Sequence, residues 1–120
     1  STIMRIKSIF ATILVILLFA VQPGRSEGQE AKALTIENNS RMDMIELYPS
    51  NLDTGAWGQD ILKGKTLGYG DRVEAKVDSR MKMLDLRAVF ANGTERTYYG
   101  IDVQKYSRVR LNTMDMEPFE

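Results

Sequence analysis

Leu84-Asp85-Leu86-Arg87-Ala88-Val89-Phe90-Ala91-Asn92-Gly93-Thr94-Glu95-Arg96-Thr97-Tyr98-Tyr99 decides the fold class. Leu84, Leu86, Ala88 and Phe90 alternate with Asp85, Arg87 and Val89, the period-2 pattern of a strand with one face in a core. Asn92-Gly93 follows, and an extended pattern resumes from Thr94 to Tyr99. Asn-Gly between two such runs predicts a hairpin with a type I′ turn, because both central residues of that turn need positive φ.

Working outward, the same period recurs. Arg72-Val73-Glu74-Ala75-Lys76-Val77 sets Val73, Ala75 and Val77 against charges, and Tyr106 to Leu111 sets Val109 and Leu111 against Arg108 and Arg110. Ala33 to Glu37 alternates with Leu34 and Ile36 on one face. Met42 to Tyr48 alternates with Ile45 and Leu47 on one face, and Asn38-Asn39-Ser40 between these two runs predicts another hairpin. Trp57 to Leu62 is short enough for a single helical turn. No segment after the N-terminal apolar run sustains a helical stripe over three turns. The expectation is an all-β domain, a small antiparallel β-sandwich or open barrel of about six to seven strands, preceded by an N-terminal signal helix. Its core is expected to hold Leu34, Ile36, Ile45, Leu47, Val73, Val77, Leu84, Leu86, Phe90, Val109 and Leu111.

Ile9 to Val21 carries no charge, follows Arg5 and Lys7, and precedes Gln22-Pro23-Gly24-Arg25-Ser26, whose small residues Gly24 and Ser26 suit a signal peptidase. The run is shorter than the roughly 20 apolar residues a membrane-crossing helix needs. Residues 1–26 therefore read as a signal peptide cleaved after Ser26, with residues 1–3, ahead of Met4, set aside as a cloning scar or upstream mis-start. Residues 27–32 read as a flexible spacer, 33–112 as the sandwich and 113–120 as a C-terminal tail. The predicted location is periplasmic or secreted.

The 120 residues hold sixteen basic and sixteen acidic side chains, no Cys and no His. Loss of Arg5, Lys7 and Arg25 with the leader turns this balance mildly acidic, which argues against nucleic-acid binding by bulk charge and leaves an uncleaved leader as the only membrane attachment. Without Cys or His there are no disulfides, thiolate or imidazole metal sites, cysteine nucleophiles or Ser-His-Asp triads. No cofactor and no enzymatic activity are expected.

Three features could carry function. Met42 and Met44, Met81 and Met83, and Met114 and Met116 form Met-x-Met pairs. By parity the first two pairs lie off the main apolar face, where thioethers could hold Cu(I) or Ag(I), although packing against a second surface or a partner is the reading favoured. The irregular stretch Tyr48 to Leu62 carries the only Trp. There Asn51, Asp53 and Asp60 could offer oxygens to Ca²⁺ at a spacing unlike an EF-hand, or Trp57 could fold over a sheet end as a plug above Ile61 and Leu62, the reading favoured here. Tyr98, Tyr99 and Tyr106 with Arg96, Arg108 and Arg110 could form an aromatic-basic strip or an ordinary exposed sheet face. Asp85 and Arg87 read as a surface ion pair. The Asn38-Asn39-Ser40 and Asn92-Gly93-Thr94 glycosylation patterns read as turns.

Asn38-x-Ser40, Leu47-Tyr48-x-Ser50, Trp57-Gly58-x-Asp60-x-Leu62, Leu67-x-x-Gly70 and Asp85-Leu86-Arg87-x-x-Phe90-x-Asn92-Gly93, in that order, resemble a group of small exported bacterial domains of unknown function. The match covers Leu34 to Leu111 and implies a β-sandwich in the cell envelope, with no catalytic residues to carry over. Some relatives of that group have a Cys on either side of the Asp-Leu-Arg element; Lys82 and Gln104 stand there instead, so any such clamp is missing.

The functional expectation is a non-enzymatic binding or assembly module that recognises a protein or glycan in the envelope, or a second copy of itself. It would do so through an exposed sheet face or the Trp57 loop, with Trp57, Asp60, Tyr98, Tyr99 and Arg108 as candidate contacts. The alternative is a soft-metal protein using Met42, Met44, Met81 and Met83.

Overall fold

The structure, a computed structural model, describes residues 30–120. The expected leader and residues 27–29 of the expected spacer lie outside the described residues, while Ala31 and Lys32 of that spacer belong to the first strand. Seven strands follow in order: β1 (Ala31–Asn39), β2 (Met44–Pro49), β3 (Arg72–Asp78), β4 (Met83–Phe90), β5 (Glu95–Asp102), β6 (Arg108–Asn112) and β7 (Met116–Pro118). They form two sheets, ordered β3-β1-β6-β7 and β2-β4-β5, neither closed into a barrel. Apolar side chains from both sheets make one core, with Phe90, Leu34, Ile36, Leu84 and Leu86 at its fully buried centre.

The sheet is mixed rather than purely antiparallel: β1 pairs antiparallel with β3 but parallel with β6, Ile36 facing Val109. The predicted β1–β2 hairpin does not form, because β1 and β2 belong to different sheets. Asn38 is the reason. Buried at the end of β1, it donates through Nδ2 to the carbonyls of Met42 and Leu67 and accepts through Oδ1 from the Ser40 backbone N–H and hydroxyl. Those bonds fix an arch that carries the chain from one sheet to the other.

The β4–β5 hairpin forms, with a different turn. Only Gly93 has positive φ (89°), while Gly93 N donates to Phe90 O and Phe90 N to Thr94 O. This is a three-residue loop with one left-handed residue, which Asn-Gly supports as well as type I′.

Ile45 is a correction to the expected core. The β2–β4 register shifts between Met44 and Glu46, so Ile45 is an extra residue pushed outward and Met44 takes the buried position opposite Phe90. Val73 is half-buried and packs against the core, and the other expected core residues are buried. The ends also move: β1 starts at Ala31, and the expected tail contributes β7, paired with β6 through Leu111 and Met116. Trp57 to Leu62 is not a helical turn, and there is no helix among the described residues.

Candidate functional site

Open sheets leave strand edges, and the segment between β2 and β3 treats two of them differently. Against β2 it docks closely. Gly58 N donates to Pro49 O and Ile61 N to Leu47 O, both at 2.7 Å, and Asp60 Oδ1 accepts Leu47 N and Leu62 N at 2.9 Å each. Gly58 suits this approach, because a Cβ there would meet Pro49 O at a tight 3.3 Å and the two backbones would have to move apart by a few tenths of an ångström. The far end of the segment returns to bond Leu67 with Met44 in both directions.

Against β3 the same segment makes no backbone hydrogen bond among the described residues. A groove of about 520 Å³ lies between them, walled by Pro49 to Asp53 and Gly58 to Ile61 on one side and by Glu74 to Asp78 on the other, with Met81 and Leu84 among its apolar lining. A second cleft of about 400 Å³ runs from Ile61 to Leu67 past Arg72 and Val73. The edge of β3 thus stands open beside concave surface. One mouth of the first groove is charged: Arg80 binds Asp78 at 2.6 Å and reaches Asp53 at 3.6 Å. The side-chain hydrogen bond from Arg80, aided by its backbone N–H, lowers the Asp78 carboxyl to about 2.

The expected contacts do not converge on one place. Asp60 lines the groove, but its Oδ1 holds backbone, as does Asn51 Oδ1, which accepts Asp53 N and Thr54 N. Among the described residues no three acidic side chains come together as a metal site. Trp57 is no plug: it is 41% exposed and pairs with Ser50 in an isolated bridge, and Leu62 fills the core in its stead. Tyr98 points inward, its hydroxyl donating to Asn112 O at 2.7 Å, whereas Tyr99 is exposed. Arg108 lies in the other sheet, near Phe119. The aromatic-basic strip is therefore split between two sheets and two sides of β5.

The methionines also differ from their expected placement. Met44 and Met81 are buried, Met42 is half-buried and Met83 is exposed. Met44 pairs with Phe90 at one end of β4 and Met83 starts the other end, roughly 20 Å away at strand spacing, so the two pairs do not share a site. The expected Asp85–Arg87 pair is absent too: Arg87 binds Glu95 at 2.9 Å, and Asp85 Oδ1 accepts Gly100 N.

Two features were not anticipated. One is the open edge of β3, since alternation identifies a strand but not its neighbours. The other lies on the outer face of the four-stranded sheet, where Glu37 receives Arg72 at 2.9 Å and Arg110 at 2.8 Å, and Phe119 stacks 4.4 Å from Arg110. Burial pushes the Glu37 carboxyl up, but the hydrogen bonds and charges of Arg110 and Arg72 outweigh it and hold Glu37 below its usual 4.5. Comparison of the chain with protein-family models, with curated proteins and with solved structures finds no match.

Proposed function

We propose that the protein is a non-enzymatic binding or assembly module of the bacterial envelope, exported by its leader, and that its working surface is the open edge of β3 with the groove beside it. One observation carries this reading: a seven-residue strand whose outer backbone groups, the Asp78 carbonyl aside, have no backbone partner among the described residues runs along a concavity of about 520 Å³. An exposed edge can accept an added strand from a partner, main-chain bonds giving affinity and flanking pockets giving selectivity. The export half of the proposal rests on the tripartite leader and on the resemblance to small exported domains. In line with that resemblance, positions 82 and 104 are neighbours here, with Val103 N donating to Lys82 O and Gln104 Nε2 to Met81 O.

The test is capture from an envelope extract by immobilised protein produced from the full chain. Retention of a protein partner is expected, and Lys76→Pro, which deletes one edge N–H, is expected to abolish it. Equal retention by wild type and Lys76→Pro would move the working surface elsewhere.

A further inference from the structure

We infer that the occupant of the β3 edge is the β3 edge of a second copy of this chain, paired antiparallel about a two-fold axis through Ala75; this rests on the reading of that edge as the working surface. The first step is which backbone groups face outward. Thr35 N donates to Ser107 O across the β1–β6 side, so the alternating groups of Leu34 and Ile36 face β3. Their register partners Ala75 and Val73 face back. Arg72, Glu74, Lys76 and Asp78 are left with N–H and C=O directed away from the sheet, the Asp78 carbonyl accepting Met81 N in the following turn.

The second step is charge. The side chains of those four residues, on the face away from the core, read plus, minus, plus, minus along the strand. Run in the opposite direction, the same strand reads minus, plus, minus, plus. An antiparallel copy centred on Ala75 therefore sets Glu74 against Lys76 of the second copy and Arg72 against Asp78 of the second copy, twice each. A register shift of two residues sets Glu74 against Glu74, or Lys76 against Lys76. A shift of one brings outward-facing backbone groups against inward-facing ones. Only the register centred on Ala75 uses the whole strand with every pair opposite in sign.

Charges on an edge usually discourage pairing. Here their order is self-complementary, so they select one register, as an isologous two-fold interface requires. Glu74 and Lys76, the central pair, are exposed and make no ion pair among the described residues. The other edges are less suited. That of β2 is covered by the Gly58–Ile61 segment, β7 has three residues, and β5 is interrupted by a register shift near Gly100, whose φ is 69°.

Sedimentation velocity on protein produced from the full chain tests this. Wild type should sediment as a dimer. Glu74→Lys alone and Lys76→Glu alone should each sediment as monomers, since each sets like charges face to face twice. An equimolar mixture of the two variants should regain the dimer, because each Lys then meets a Glu. Thermal melts confirm that the exposed substitutions leave the fold intact. A wild type that remains monomeric to about 1 mM, a dimer unaffected by either substitution, or a mixture that stays monomeric would each overturn the self-pairing. If self-pairing fails while Lys76→Pro still loses the captured envelope partner, the edge remains the working surface for a different protein; if both fail, the edge is not the working surface.

Discussion

The side-chain amide of Asn38 donates to the carbonyl of Leu67 at 2.8 Å, joining the end of β1 to a point 29 residues further along the chain. The same nitrogen bonds Met42 O and the amide oxygen takes two bonds from Ser40, so every hydrogen-bonding position of this buried side chain is used. Asn38→Ala would remove all four of these bonds, leaving the Ser40 N–H without its acceptor and the Leu67 and Met42 carbonyls with only their remaining donors, Met44 N and Ser40 Oγ. A loss of about 2–4 kcal/mol is expected in denaturant unfolding, and Asn38→Asp, which loses both donated bonds and buries a charge, should cost no less.

The extra residue in β2 reverses the expected order of sensitivity at two adjacent sites. Met44 is fully buried against Phe90, whereas Ile45 stands outward. Met44→Ala should cost about 2–5 kcal/mol and Ile45→Ala under about 1 kcal/mol. Urea melts of the two variants check this, and equal costs would mean that the strand runs without the extra residue.

Leu62 and Trp57 make a similar pair. Leu62 lies in the core below the groove segment, and Trp57 is exposed. Leu62→Ala is expected to cost about 2–5 kcal/mol, while Trp57→Ala should shift stability by no more than about 1 kcal/mol. Thermal unfolding separates the two, and tryptophan fluorescence of the folded wild type should show a solvent-accessible indole.

Acid should unfold the domain partly through Glu37. Its folded value lies below the ordinary 4.5, so the folded state binds this proton more weakly than the unfolded chain. The stability it contributes is complete above that ordinary value and is lost as pH falls through the folded one. Glu37→Gln should therefore unfold at a lower midpoint near neutrality and show a shallower loss on acidification. Melts of both proteins from about pH 6 to about pH 3 measure the difference.

Tyr98 controls the alkaline side. Burial pushes its hydroxyl up from the ordinary 10.0 to about 12, so it keeps its proton well into the alkaline range. An ultraviolet titration of the wild type should contain one late-ionising phenol that is missing from Tyr98→Phe. Its contribution is present below the unfolded value and is lost as pH rises toward the folded one. Tyr98→Phe, which deletes the bond to Asn112 O, should cost about 1 kcal/mol below pH 9.

The alternation of Leu84, Leu86 and Phe90 was enough to read β4 and its face, and Val73, Ala75 and Val77 did the same for β3, because one side of each strand meets the core. What failed were the positions where period 2 breaks. Ile45 and the pair Tyr99-Gly100 each add a residue to one strand only, and nothing in composition marks an added residue. Asn38-Asn39-Ser40 has the chemistry of a surface turn, yet the same amide and hydroxyl groups build a buried arch when the carbonyls of Met42 and Leu67 reach them. The elements of the family resemblance are largely such pins. Ser50 exchanges bonds with Asp85, Asp60 holds Leu47 and Leu62, and Gly70 and Gly93 occupy left-handed turns. They report the fold and not a ligand, which is why the site had to be found from which edge the loop leaves uncovered.

The parallel pairing of β1 with β6 sets a timetable. Glu37 and its partner Arg110 are 73 residues apart, and at about 5–20 residues per second a ribosome takes roughly 4 to 15 seconds to travel between them. During that interval the three-stranded sheet can assemble from strands already made, while the strand that will sit between β3 and β6 keeps one side unpaired. Completion of the fold waits for almost the last of the described residues to appear. For that period the growing chain is a substrate for anything that recognises extended, unpaired backbone.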